Sequence, residues 1–451
     1  MYQLDKLRVT DLRCSVIVSV LITGAVIPQL ACADVEFNDG PLSVEASLEV
    51  GGAALSTKGV NFGAGQIDFR DGRNHGDSAD WFEAFVKPKL EAKYKVDDDF
   101  DVYAVGSVIS AYTGGDGDAG GYTRSGDGRT SWEDLYVGVT YREWSLSGGR
   151  QSYVVGNGFI IADGHLGMLS DGAYWADPRR AFEETVILKY AGDNGLSGQL
   201  FTVSADKYLG HQRLTGLNVD YDFSLGRAGA TYVNVSNVDN DTQAVAPKNG
   251  MSVYDLRLLS AKVPGLPDLL LDGEYAIQRG KGEGIEFDSD AWYLQAAYNF
   301  SQLPFTPQLT YRYAKFSGDS DPLDKKRKSW DPLAKGYMDR GAWVIGDITG
   351  NYLLNNSNEV VSMWKIAVPV QSTLSVGAVF YDFDLDEGNY YGTPVGSKDF
   401  ADETALFADW TPVVNTYLTL SYNFVKPQAA AKEVFGGKNF SAWQFYMTYK
   451  F

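Results

Sequence analysis

Cysteine and histidine are close to absent from this chain, and each absence removes a class of chemistry. The two cysteines, Cys14 and Cys32, both fall within the first 33 residues, and the histidines are His75, His165 and His211. Lys6, Arg8 and Arg13 precede an apolar run from Cys14 to Leu30, and Ala31-Cys32-Ala33 supplies the small residues of a signal-peptidase site. The expectation is a removed leader, 1–33, followed by a single domain, 34–451. A retained anchor fits less well, because Pro28 interrupts a stretch already short for the ~20 residues that span a bilayer. A lipoprotein site at Cys32 would want an aliphatic residue where Gln29 stands. Without its leader the chain has no thiol for a disulfide, a thiolate-metal site or a cysteine nucleophile.

Long apolar runs are also missing beyond residue 33, which rules out a helical membrane protein. What the chain has instead is period-two alternation. At its end, Trp443, Phe445, Met447, Tyr449 and Phe451 alternate with Gln444, Tyr446, Thr448 and Lys450. A strand sends successive side chains to opposite faces, so one set can meet lipid and the other a wet interior. Leu42, Val44, Ala46, Leu48 and Val50 repeat the pattern. So do Phe82, Ala84, Val86, Pro88, Leu90, Ala92 and Tyr94 against Glu83, Lys87, Lys89, Glu91, Lys93 and Lys95. A 14% aromatic content and 49 glycines suit a barrel of strands and tight turns.

Extended through the chain, this spacing predicts about eighteen strands. They lie at 42–50, 82–96, 100–113, 131–142, 143–153, 183–192, 196–206, 214–222 and 226–236, then at 251–262, 267–279, 288–300, 305–317, 359–369, 372–383, 403–411, 414–425 and 440–451. Short connections alternate with long ones near 51–80, 113–130, 154–182, 207–213, 237–250, 280–287, 318–358, 384–402 and 426–439. Short periplasmic turns opposite longer extracellular loops are the asymmetry of a transmembrane antiparallel β-barrel in the outer membrane of a Gram-negative cell. Eighteen tilted strands enclose more space than wall side chains fill, so water or inward-folded loops must occupy it. The expectation is therefore a monomeric conduit among lipid and lipopolysaccharide, without cofactor, metal or nucleic acid.

The net charge of −19 disfavours anionic cargo at first sight. Its acidic excess concentrates in loops such as Gly114 to Asp118 and Asp384 to Glu387, whereas the positions placed inward by alternation are nearly balanced. Inward cations are expected at Lys87, Lys89, Lys93, Arg142, Lys189, Arg257, Arg312 and Lys365, and inward acids at Glu83, Glu91, Asp134, Asp255, Asp272 and Glu274. A pore selects by the charges at its constriction, so net charge leaves cargo open. Tyr136, Tyr293 and Tyr381 are expected to form a sugar-stacking track beside these charges. An electrostatic ladder that merely stiffens the wall is the plainer reading of the same residues.

Gly149-Arg150-Gln151, the following Gly156-Asn157-Gly158-Phe159-Ile160-Ile161-Ala162-Asp163-Gly164 and the later Gly350 to Glu359 segment resemble the alginate export family of outer-membrane barrels. That resemblance implies a channel of about eighteen strands whose constriction guides a carboxylate polymer. It also implies Arg150 as a wall cation, with Asp163 as an acidic partner. The connections on the short-turn side lack the long gate expected of an alginate exporter. By parity with Trp144 and Leu146, Arg150 faces lipid, at a cost of about 2–4 kcal/mol near mid-membrane. Either a bulge at Gly148-Gly149 turns it inward or it snorkels at the rim.

Other constellations carry weaker signals. Asp324-Lys325-Lys326-Arg327-Lys328 suits either lipopolysaccharide phosphates or a solvated loop tip, and its long connection, with Trp330, Tyr337 and Trp343, is a candidate to fold inward. Gly114 to Gly121 has the oxygen ligands of a calcium loop, although a flexible loop explains it equally. An enzymatic barrel would need a histidine near an acid, and only His165 near Asp163 or His211 near Asp206 qualifies. The functional expectation is passage of a polar, anionic solute or an acidic polysaccharide. Small-anion uptake and a closed adhesive or structural barrel are the alternatives, and a periplasmic delivery partner stays open.

Overall fold

The computed structural model describes residues 35–239, 246–335 and 348–451; the expected leader, Tyr337 and Trp343 lie outside the described residues. Alternating segments pair with their neighbours into one closed antiparallel barrel of eighteen strands. These are β1 (Leu42–Lys58), β2 (Ser78–Lys95), β3 (Phe100–Gly115), β4 (Gly128–Tyr141), β5 (Trp144–Gln151) and β6 (Phe182–Ala191). There follow β7 (Leu196–Ser204), β8 (Arg213–Phe223), β9 (Gly226–Ser236), β10 (Met251–Val263), β11 (Leu266–Gly282) and β12 (Ile285–Asn299). The last six are β13 (Gln308–Phe316), β14 (Glu359–Gln371), β15 (Leu374–Leu385), β16 (Asp399–Trp410), β17 (Thr416–Pro427) and β18 (Phe440–Lys450). Closure comes from β1 against β18, from Glu49 opposite Lys450 to Lys58 opposite Ser441, which leaves no sheet edge to satisfy.

Outward positions carry the greasy set. Leu90, Val137, Leu256 and Leu294 are exposed there, and Trp443, Phe445 and Met447 of the last strand are exposed as their alternation predicts. Aromatic pairs gather toward both ends of the wall. Trp144 meets Tyr190 near the short turns, while Trp292 meets Tyr313 and Tyr422 meets Trp443 toward the other rim. Such paired girdles belong at the two bilayer interfaces.

Three elements depart from the expected layout. A short strand, Val35–Asp39, folds back on β1 beyond the barrel proper, with Val35 opposite Ala46. The connection expected at 280–287 is only a tight turn at Glu283-Gly284, because β11 and β12 continue past the rim, with Gly282 opposite Ile285. The 426–439 connection contains a short helix, Ala429–Val434, whose Ala430 and Ala431 are buried.

The interior is narrowed by connections that fold inward: 152–181, and the described parts, 317–335 and 348–358, of the connection between β13 and β14. They meet inside the barrel, where Ala162 N–H donates to Ala334 O at 2.7 Å and Ala334 N–H donates to Ile160 O at 3.2 Å. Phe159, Ile161, Trp330, Leu333 and Leu353 are buried with Phe287, Phe316 and Val361 of the wall in one apolar cluster. Burying that surface holds the loops against the wall, and it fills one side of a lumen too wide for wall residues alone.

Candidate functional site: the internal constriction

Polar backbone taken into an interior must find partners, and glutamates of the inner wall supply them. Glu83 of β2 accepts the N–H groups of Trp175 at 3.3 Å and Ala176 at 2.7 Å, together with the indole N–H of Trp81 at 3.2 Å. Glu133 of β4 accepts from Arg180 N at 2.8 Å and Ala181 N at 3.1 Å. Glu403 of β16 accepts from Ile348 N at 3.2 Å and Thr349 N at 2.8 Å. Each carboxylate therefore grips two successive amides of an inward loop.

Beside these clamped loops runs a cavity of about 1430 Å³. Its lining begins among the outer connections at Phe69, Pro322 and Tyr391, and it ends near the short turns at Asp409, Tyr417 and Thr448. Midway it passes Tyr122, Asp163, Tyr174, Trp175, Asp177, Arg180, Tyr352 and Tyr446. Arg180 Nε lies 3.7 Å from Asp177 Oδ2. Burial pushes the Asp163 carboxyl well above its ordinary range, and the adjoining Asp177 carboxyl raises it further, against the opposing pull of Arg180.

Behind this point is a second polar cluster. His165 Nε2 stands 3.2 Å from Asp171 and 3.6 Å from Asp206, and all three side chains are almost fully enclosed. Burial would raise Asp171, but the bonds from His165 and Arg129 outweigh it and hold the group at about 2. Asp206 is pushed up to about 6 by burial, which the nearby His165 only partly offsets. The cluster stitches the 152–181 loop to the 205–212 connection. Its carboxylates are spent on the imidazole, and Asp206 also accepts the N–H of Leu209.

The residues expected to line the pore divide sharply. Asp163 alone among them borders the cavity. It accepts the N–H of His165 and lies against Asp177 rather than Arg150. Arg150 sits opposite Leu135 at the end of β5, where a register shift and a φ of +129° at Gly149 break the ladder. Its guanidinium is 3.8 Å from Glu183, so the expected pairing with Asp163 does not form. Arg257 is enclosed and bonded to Thr231, Asn218, Asp255 at 2.9 Å and Asp220 at 2.6 Å. Arg312 is buried, bonded to Gln295 at 2.6 Å and placed over the Tyr293 ring. Lys87 pairs with Glu49, Lys89 with Glu91 and Lys93 with Asp101, all within 3.4 Å. Lys365 lies over the Phe407 ring. Lys189 follows inward Ile187 on β6 and has no carboxylate within ion-pairing distance among the described residues.

Arg142 is a correction. It occupies the β4–β5 turn with φ +52° and pairs with Asp99 of the adjacent turn at 3.0 Å, so it caps the short-turn end and does not face the lumen. Tyr293 and Tyr381 are a second correction. Both are buried: Tyr293 is bonded to Asn157 and packed on Phe159 of the inward 152–181 loop, and Tyr381 is stacked on Phe383 of its own strand. Tyr136 stays in the wall against Tyr103. Most aromatic residues that reach the cavity come from connections, which period-two reading does not resolve; Tyr417 and Tyr446 reach it from strands β17 and β18.

The looser motifs are absorbed by structure. In the basic cluster, Lys326 pairs with Asp288 at 2.5 Å and Arg327 donates to Pro247 O at 2.6 Å. In the glycine-rich loop, Asp118 accepts from Gly120 N, Tyr122 N and Thr123, so its oxygens organise the turn. No group of three metal-binding side chains occurs among the described residues.

The fold has solved counterparts. The crystal structure of Acinetobacter baumannii OccAB4 matches over 90% of this chain and 98% of its own, with TM-score 0.56 and 11% identity. Pseudomonas aeruginosa OccK5 (OpdH) matches over 90% and 97%, with TM-score 0.55 and 12% identity. Pseudomonas aeruginosa OccD3 (OpdP) matches over 90% and 91%, with TM-score 0.54 and 13% identity. No protein-family model matches the chain, and no curated protein sequence matches it. Similarity at this identity speaks to fold alone: the chain is a closed antiparallel β-barrel of eighteen strands, the fold it shares with these structures.

Proposed function

We propose that the protein is a passive outer-membrane channel for small polar solutes. One observation carries this reading: a single cavity is bordered both by the outer connections and by residues beside the short turns. A cavity with that span is a path along the barrel axis, and its mixed polar and aromatic lining suits hydrated solutes. No covalent chemistry is invoked.

The inward loops favour small cargo over the acidic polysaccharide suggested by the resemblance to the alginate export family. A polymer needs a continuous wide bore, whereas the 152–181 loop is pinned by Glu83 and Glu133 on the wall. The inward cations expected from sequence do not border the cavity, and all but Lys189 are engaged with carboxylates, amides or rings, so they supply little anionic preference. Swelling of proteoliposomes in neutral solutes of rising size tests the reading. Rapid entry of small solutes with a sharp size cut-off is the expected result, and exclusion of every solute contradicts it. Equal entry of large polymers favours the polysaccharide reading instead.

A further inference from the structure

Aromatic rings follow the passage through most of its length. Phe69 at the outer mouth is 5.9 Å from Tyr122, measured between ring centroids, and Tyr122 is 4.6 Å from Tyr174 and 6.1 Å from Tyr352. Trp175 lies 5.8 Å from Tyr352, and below the narrowing Tyr446 borders the same cavity. These rings come from four separate connections and one strand, yet all border the same cavity. Rings needed only for packing would be covered, as Tyr293 and Tyr381 are; these retain surface on the cavity.

The polar groups beside them are turned toward one another. Among the described residues, five cations line the passage, and each is already engaged. Arg180 faces Asp177, Lys248 bonds to Asp331 at 2.9 Å, Lys326 pairs with Asp288, Arg327 bonds to Pro247 O and Lys335 bonds to Asn356. An entering anion would have to break one of these contacts. The carboxylates of the lining are engaged as well: Glu49 pairs with Lys87 and Asp331 with Lys248, Asp409 accepts the Tyr417 hydroxyl, Asp319 and Asp324 accept backbone amides, and Asp163 and Asp177 join each other beside Arg180. Hydrogen-bonding capacity remains without strong net attraction for either sign.

We propose that this ring-lined path is a binding track for neutral pyranose sugars, short oligosaccharides in particular. The inference rests on the channel reading above. A pyranose offers an apolar C–H face that lies flat on an aromatic ring and an equatorial belt of hydroxyls that both donate and accept. The track supplies both complements: neighbouring ring faces, and the Asp163, Asp177 and Arg180 group on the same cavity. Spaced rings let a sugar step from one to the next without any single deep trap, which conduction requires.

The test is sugar-induced block of single-channel current in planar bilayers, with glucose, maltotriose and cellotriose as neutral probes and benzoate and tetramethylammonium as charged ones. The expected result is saturable block by the trisaccharides, tighter than by glucose. Trp175→Ala and Tyr352→Ala should each weaken trisaccharide binding about tenfold or more, while Trp175→Phe and Tyr352→Phe stay near wild type. The phenylalanine variants keep the result readable if an alanine variant fails to form channels. A normal ion current with no saturable sugar block overturns the track while leaving the channel standing. Stronger block by benzoate or tetramethylammonium overturns it too. Absence of any current defeats the channel reading itself.

Discussion

The carboxylate of Glu83 on β2 accepts the backbone N–H of Ala176 at 2.7 Å, and this bond fixes the 152–181 loop across the lumen. Glu83→Ala leaves the Ala176 and Trp175 amides without partners, at about 1–3 kcal/mol for each buried group. The loop should loosen from the wall, and the channel should conduct more and admit larger solutes. Glu83→Gln, which keeps an acceptor oxygen, should fall between. Conductance in planar bilayers checks this, and unchanged conductance in Glu83→Ala would remove Glu83 from control of the bore.

Arg257 belongs to the wall. Its side chain is fully enclosed between Asp255 and Asp220, so Arg257→Ala abandons buried carboxylates and should destabilise the barrel by about 3–5 kcal/mol. Ion selectivity of the folded variant should match wild type. Urea unfolding read beside reversal potential separates the two effects; a large selectivity change without lost stability would make Arg257 a lining residue after all.

Lys189 should behave in the opposite way. It lies off the lined cavity but is an exposed inward cation without a carboxylate within ion-pairing distance among the described residues, so through its field Lys189→Glu should shift reversal potential modestly toward cations in a salt gradient, with stability changed by less than about 1 kcal/mol. An unmoved reversal potential would place it away from the ion path.

Asp206 gives a pH signature whose sign follows from burial. Its carboxyl is raised to about 6 in the folded chain from an ordinary value of 3.8, so the folded state holds the extra proton between those limits. This group's contribution is fully favourable below about 4 and is lost as pH rises through 6. Asp206→Asn keeps an acceptor for Leu209 and removes the penalty. Its stability relative to wild type should rise between pH 4 and 7, by up to about 3 kcal/mol. Asp171, held at about 2, acts oppositely and is lost only in stronger acid. Parallel thermal-unfolding profiles for the two proteins across that range would refute the assignment.

The barrel was legible in the sequence because lipid imposes a strict rule. Outward positions facing lipid favour apolar side chains, and the eighteen alternating segments match the eighteen strands, apart from a few residues at most ends and the eight further residues of β1. Misreadings arose where that rule is silent. Gly51 and Gly52 read as the start of a loop, yet β1 runs through them to Lys58. A Cβ at Gly51 would stand 2.5 Å from the Phe85 ring, so glycine there serves close approach inside the wall. At 133–134 the alternation favoured Asp134 as the inward acid, but the register shift opposite Gly106 and Val108 makes Glu133 the buried clamp. Glu403 carries no sequence signal for a related reason: its partners are backbone amides of a distant loop, which no local pattern records. The constriction is built from connections, whose side-chain directions depend on tertiary contacts.

Single-channel recording of the purified full-length protein in a planar bilayer tests the central claim most directly. A hydrated path narrowed by clamped loops predicts discrete, stable conductance steps that enlarge when Glu83 and Glu133 are both replaced by alanine. Insertion without any conductance, in wild type and double variant alike, would contradict it.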